Sequence, residues 1–127
     1  MNFPEELKYH KEHTWLRIEG NTGTIGITEF AQSELGEIVY VDLPNIGNSY
    51  RQDEIFGTIE ALKTVSDLFM SVNGKVTAIN LRLKEEPTLV NSDPFGEGWM
   101  IKVSLDTNNE IVNLLTVIEY KGLYNKD

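Results

Sequence analysis

Lys63 stands between two runs of strand character, residues 54–60 and 68–72, with Glu60 three positions before it and Asp67 four after. A lysine at such a junction sits at the tip of a hairpin, exposed on both sides and backed by a stiff base. Those are the demands on a covalent attachment point. The amine must enter a modifying enzyme while the backbone around it keeps one presentable shape. A lone lysine is ordinarily solvated charge, although its amine is a common target of modification. Other chemistry-bearing groups carry less. His10 and His13, with Glu12 between them, place two imidazoles at i, i+3, which share a face on a helix but oppose one another on a strand. No third metal ligand is evident, so a solvated N-terminal segment is the simpler reading. Asp93, Glu97 and the Gly96/Gly98 pair lack the spacing of a calcium loop, and the glycines do not follow a phosphate-binding pattern. Glu85 and Glu86 read as a solvated loop face.

The elements that must position Lys63 are short strands. Residues 15–27 read as a hairpin: Leu16 and Ile18 alternate with polar neighbours, and Gly20-Asn21-Thr22-Gly23 supplies the turn. Thr28 can cap a short helix carrying Phe30, Ala31 and Leu35 that stops at Gly36. Residues 38–43 form a β-branched strand ended by Pro44, and residues 45–48 turn the chain. Asn73-Gly74 is a tight-turn signal, since both residues tolerate positive φ, and residues 75–80 form the next strand. Residues 85–98, with two prolines and two glycines, are expected to form a long ordered loop. Trp99, Ile101, Val103 and Leu105 alternate with Met100, Lys102 and Ser104, the period of a half-buried strand. Over residues 107–121 the period changes. Thr107 and Glu110 have capping-box spacing, Ile111, Leu114, Leu115 and Ile118 follow at helical spacing, and Gly122 can end the helix. These elements make a mainly β domain over residues 1–127, a small sandwich or barrel with a packed C-terminal helix.

Composition narrows the function classes. Cysteine is absent from the 127 residues, which excludes disulfides, cysteine-ligated zinc and a thiol nucleophile. Eleven basic against twenty acidic side chains give a net charge of −9, a field that repels phosphate backbones and anionic lipid and leaves nucleic acid and membrane as poor partners. No apolar run is long enough to span a bilayer, and residues 1–11 resemble neither a signal nor a transit peptide. A cytoplasmic location is expected, or the mitochondrial matrix for a processed eukaryotic chain.

The segment Glu60-Ala61-Leu62-Lys63-Thr64-Val65-Ser66-Asp67-Leu68 resembles the lipoylation motif of the H-protein family of glycine cleavage. Other stretches agree: Gly23-Thr24-Ile25-Gly26-Ile27-Thr28, Leu35-Gly36-Glu37-Ile38-Val39, Val41-Asp42-Leu43-Pro44 and Asp93-Pro94-Phe95-Gly96-Glu97-Gly98-Trp99. The resemblance runs from about Tyr9 to Tyr120. It implies a lipoyl/biotinyl-type barrel-sandwich hybrid, lipoate joined by an amide to Lys63, and Glu60 as the acid that helps the lipoate-attaching enzyme choose its lysine. Gly47 and Gly74, before and after Lys63, are expected to form tight turns in the supporting strands. A biotin carrier would place methionine on both sides of the lysine, where this chain has Leu62 and Thr64.

The resemblance also implies a role. A monomeric carrier, itself no enzyme, would pass its arm among a pyridoxal-phosphate glycine decarboxylase, a tetrahydrofolate-dependent aminomethyltransferase and dihydrolipoyl dehydrogenase. A lipoyl relay to other carriers would use the same Lys63. In the family the loaded arm folds into an acidic cleft. Asp67 matches one acid of that cleft. The other usually follows a histidine in a His-Glu-Trp stretch, but here the stretch is His13-Thr14-Trp15. Thr14 brings no charge, and a charge-assisted hydrogen bond is roughly twice as strong as a neutral one. Glu12 shares the parity of Thr14 on an extended segment and is the candidate substitute, so weaker arm protection is expected. Ala61, in place of the usual serine, removes one hydroxyl beside the attachment site.

Overall fold

The computed structural model describes residues 3–105 and 113–124. Two antiparallel sheets face each other. In chain order the elements are β1 (Lys8–Tyr9), β2 (Thr14–Glu19), β3 (Thr22–Ile27), α1 (Glu29–Leu35), β4 (Ile38–Asp42), β5 (Ser49–Tyr50), β6 (Ile55–Ala61), β7 (Val65–Phe69), β8 (Gly74–Ile79), α2 (Arg82–Glu85), α3 (Leu89–Ser92), β9 (Ile101–Leu105) and α4 (Val117–Tyr124). One sheet runs β1-β2-β3-β9-β8-β5 and the other β4-β6-β7. This mainly β architecture, with short helices and a C-terminal helix, is the class expected. Among the described residues no helix is long and apolar enough to cross a membrane.

Local signals account for several elements. The β2–β3 hairpin turns at Gly20, whose φ of 62° suits a residue without Cβ. Thr28 caps α1, its hydroxyl accepting from the Ala31 N–H at 3.1 Å, and Gly36 closes the helix at φ 84°. Leu16, Ile25, Ile59, Leu68, Val76, Ile101 and Val103 point between the sheets into one buried cluster, each fully buried aliphatic side chain contributing roughly 1.5–3 kcal/mol. Met100 belongs to this cluster too. It sits just before β9, so it escapes the strand alternation that assigns it to the polar face.

Several expectations change. Asn73-Gly74 is not a hairpin turn. Neither residue has positive φ, and β7 and β8 lie in different sheets, so the chain crosses between layers there. Gly74 is required for another reason: a Cβ would lie 2.8 Å from the Ser104 carbonyl oxygen and 3.0 Å from Val103 Cβ. Residues 85–98 hold the short helix α3 as well as loop, and α2 ends at their first residue. The C-terminal helix begins later than expected, at Val117. Leu115 precedes it and pairs with Tyr9 in a β-bridge. The proposed Thr107/Glu110 box falls outside the described residues. A reciprocal capping box forms at Thr116 and Glu119, whose side chains accept from each other's backbone N–H at 3.2 and 2.9 Å. The helix passes through Gly122 to Tyr124.

The N-terminal segment is packed and not solvated. Phe3, Leu7 and Tyr9 join Trp15, Phe95 and Tyr120 in a second, largely aromatic core beneath α4. His10 is buried as well. Its Nδ1 accepts from the Glu12 N–H at 3.0 Å, so Nε2 carries the proton and donates to the Asp53 carboxylate at 2.5 Å.

Candidate functional site

The β6–β7 hairpin carries Lys63. Cross-strand pairs run from Thr58↔Asp67 through Ile59↔Ser66 to Glu60↔Val65, and the Ala61 N–H donates to the Thr64 carbonyl at 2.8 Å to close the end. Leu62 and Lys63 form the tip, both exposed. Beneath the tip Ile59 and Ala61 are buried while Glu60 and Val65 face solvent, the ordinary alternation of a half-buried sheet. The second arm begins at Val65, three residues earlier than its apolar run suggests, because Ser66 and Asp67 pair despite their polarity.

β4 braces the other edge of β6, pairing Tyr40 with Glu60 and Val41 with Ile59, with a bulge between Ile38 and Tyr40. Tyr40, Glu60 and Val65 thus form one exposed row across three strands. Glu60 occupies the middle of that row, beside the lysine.

Below the hairpin a cleft of about 210 Å³ lies between α1, the β6–β7 arm and the turn before β2. Its polar walls are Glu12, His13, Glu34, Ser66 and Asp67, and its apolar floor includes Ile27, Phe30 and Ile59. The structure therefore brings Glu12 and Asp67 to one cavity and leaves Thr14 out. Thr14 is 1 % exposed. Its hydroxyl donates to the Phe69 carbonyl at 2.9 Å and accepts from Ser71 at 3.1 Å. Glu12 and Thr14 do not share a face, because residues 10–13 turn. The His13 N–H donates to the His10 carbonyl, and His13 itself has φ 75°. One left-handed residue reverses the extended alternation, so Glu12 and Thr14 face different ways. The cleft does not lack a second acid: Glu12 and Glu34 line it with Asp67.

His13 and Glu34 also line the cleft, and reading the sequence by strand parity misses them. For Glu34 a signal existed, since it follows Phe30 by one helical turn on α1. His13 lies behind a backbone turn with no sequence signature. Burial holds its imidazole below the ordinary value, against the upward pull of the Glu12 and Glu34 carboxylates. Its Nδ1 lies 2.8 Å from the Tyr120 hydroxyl. The two histidines thus have separate partners, His10 with Asp53 and His13 with Tyr120.

Asp93 turns inward to its own loop, accepting from the Glu97 N–H at 2.9 Å. Arg82 meets both Glu86 and Glu97, at 3.3 and 2.6 Å.

Residues 7–127 match the family model described as glycine cleavage H-protein. The chain is 50 % identical over 119 residues to a glycine cleavage system H protein of Symbiobacterium thermophilum, covering 94 % of this chain and 93 % of that one. It is 49 % identical over 125 residues to the protein of that name from Bacteroides fragilis, covering 98 % and 99 %. The crystal structure of a glycine cleavage system H protein from Mycobacterium marinum superposes with a TM-score of 0.85 at 32 % identity, over 95 % of this chain and 98 % of the other. A hairpin-borne lysine above an acidic cleft, in a chain alike to these proteins from end to end, belongs to the glycine cleavage H-protein family.

Proposed function

We propose that this chain is the lipoyl carrier of a glycine cleavage system, one domain over residues 1–127, with lipoate joined by an amide to Nζ of Lys63. The observation that carries the reading is Lys63 at an exposed hairpin tip within arm's length of the cleft holding Glu12, Glu34 and Asp67. A strand climbs roughly 3.3 Å per residue, which sets Asp67 about 13 Å along β7 from the tip. A lipoyl-lysine arm of about eleven bonds spans about 14 Å at roughly 1.25 Å per bond. The two lengths fit.

When attached, the lipoyl group supplies a dithiolane that cycles between disulfide and dithiol and takes up the aminomethyl unit of glycine. The chain's own residues present and protect. Glu60, in the middle of the exposed row beside Lys63, marks the lysine for the attaching enzyme. Ile27, Phe30 and Ile59 offer an apolar floor for the arm's methylenes, and Glu12, Glu34 and Asp67 offer carboxylates to an ammonium. The net charge of −9 steers the chain toward basic docking surfaces on the decarboxylase, the aminomethyltransferase and dihydrolipoyl dehydrogenase. Tethering raises the effective concentration of the carried group at each of them. The hard chemistry belongs to those partners and their cofactors, so the chain is a cosubstrate and not an enzyme. The cytoplasm is the proposed location.

Intact mass after incubation with lipoate and its attaching enzyme tests the attachment. The wild type should gain one lipoyl group and Lys63→Arg none; an unmodified wild type would overturn the assignment. Glycine–bicarbonate exchange with the cognate decarboxylase tests the pathway, and a lipoylated chain that fails to support it refutes the glycine cleavage role.

A further inference from the structure

We propose that Tyr120 is a positioning residue for the arm cleft, its hydroxyl pinning the cleft's two walls to each other from behind. The inference rests on the reading that this cleft receives the loaded arm. Tyr120 lies on α4, is fully buried and does not line the cavity. Its hydroxyl is 2.8 Å from Nδ1 of His13, on the turn that carries Glu12, and 2.7 Å from Oγ1 of Thr28. Thr28 is the N-cap of α1, the helix that brings Phe30, Ala31, Glu34 and Leu35 to the opposite wall. One phenolic oxygen therefore joins the acidic turn to the start of the acidic helix. A direct backbone bond, Thr28 N–H to the His13 carbonyl at 3.0 Å, runs beside it.

The oxygen suits the task chemically. A phenol hydroxyl both donates and accepts, so it can donate to a bare Nδ1 or accept from a protonated one while the Thr28 hydroxyl takes the complementary role. The pin holds in either tautomer. The ring is itself fixed, stacked on Tyr9 with centroids 4.8 Å apart and tilted against Phe3 at 5.8 Å. The turn needs such support, since His13 sits at φ 75°, where a side chain with a Cβ is strained. Without the hydroxyl the ring stack, the edge contact of Tyr120 with the His13 ring and the Thr28–His13 backbone bond persist, but the His13 side chain loses its hydrogen bond to α4, and Glu12 is held less firmly opposite Glu34 and Asp67. The C-terminal helix thereby takes part in cargo protection without touching the cargo.

The test uses the lipoylated protein, loaded with glycine by the cognate decarboxylase and then separated, and reads the rate of ammonia release. Tyr120→Phe keeps the aromatic packing and removes only the oxygen. Release should rise roughly five- to tenfold, the scale of one hydrogen bond, while Lys63 gains its lipoyl group as in wild type. Val103→Ala, a core truncation on β9 away from the cleft, lowers stability and should leave release unchanged. The ¹⁵N resonance of His13 Nδ1 should move in Tyr120→Phe and stay in Val103→Ala. Asp67→Asn separates the two claims. If it speeds release while Tyr120→Phe does not, the positioning role falls and the cleft stands. If neither speeds release, the cleft reading falls and takes the positioning role with it. Equal acceleration by Tyr120→Phe and Val103→Ala would reduce Tyr120 to a stability residue and overturn the proposal.

Discussion

Gly57→Ala should destabilise the platform that presents Lys63, and its cost follows from one contact. Gly57 lies on β6 facing Leu68, where the ladder carries a bulge between Ile55 and Gly57. A Cβ there would meet the backbone carbonyl oxygen of Asp42 on β4, with the Asp42 carbonyl carbon 3.3 Å away. Both partners are main chain, so no rotamer can yield; the strands must part by about 1 Å. That stretches neighbouring N–H···O bonds of about 2.9 Å to about 3.9 Å, beyond hydrogen-bonding range. Losing one or two ladder bonds at about 1 kcal/mol each, with overpacking strain of about 1–2 kcal/mol, totals about 3 kcal/mol. For a chain of this size that lowers the midpoint of thermal unfolding by about 12 °C. Differential scanning calorimetry at constant pH measures it, with lipoylation of Lys63 below the midpoint as a second readout, expected to slow. A midpoint within about 3 °C of wild type would show that β4 and β6 tolerate separation, and would refute the steric reasoning.

Four further outcomes are expected. Gly122→Ala should stabilise by about 0.8 kcal/mol, because Gly122 is inside α4 with open space where its Cβ would go; a lowered midpoint would contradict the run of α4 through that residue. Asn91→Ala should destabilise by about 2 kcal/mol in urea titration, since Asn91 takes the buried Ile38 N–H at 2.9 Å and donates to Gln32 and to the Gly36 carbonyl at 2.9 and 2.8 Å. His13 titrates below its ordinary 6.5, with burial as the cause and with Glu12 and Glu34 pulling upward and His10 downward. Below about pH 6.5 the unfolded chain takes up this proton before the folded one, so stability falls as pH drops through that window. His13→Gln should flatten that slope. Tyr9 shifts the other way, upward through burial and then the Glu6 carboxylate. The unfolded chain loses this proton first, so stability is lost as pH rises above about 10, and Tyr9→Phe should remove that alkaline loss.

How much of this was legible in the sequence depends on how local each signal is. Thr28, Gly20 and Gly36 act on their own neighbours, and the elements they punctuate appear where their types place them. The lysine hairpin is legible for the same reason, since a turn between two strands is settled within about ten residues. Gly74 misleads because a glycine admits two explanations. The type that tolerates a left-handed turn also tolerates a carbonyl at 2.8 Å, and only Ser104, thirty residues on, reveals which applies. The helix start misleads similarly. Thr107/Glu110, outside the described residues, and Thr116/Glu119 carry the same box spacing, and the pairing of Leu115 with Tyr9 shows only that Leu115 itself is not helical.

Thr14 is the most instructive case, because a family comparison at one position made it look like a missing acid. The cleft is a cavity closed by a turn, and His13 at φ 75° decides which side chains of that turn reach it. With Thr14 committed to Phe69 and Ser71 in the interior, the carboxylates that line the wall beside Asp67 are Glu12, two residues away, and Glu34 on a different element. Thr14→Glu would then bury a carboxylate where two hydrogen bonds now satisfy a hydroxyl, at a cost of several kcal/mol. It should lower stability without improving arm retention. Slower ammonia release from a loaded, still stable Thr14→Glu would show instead that position 14 reaches the cleft.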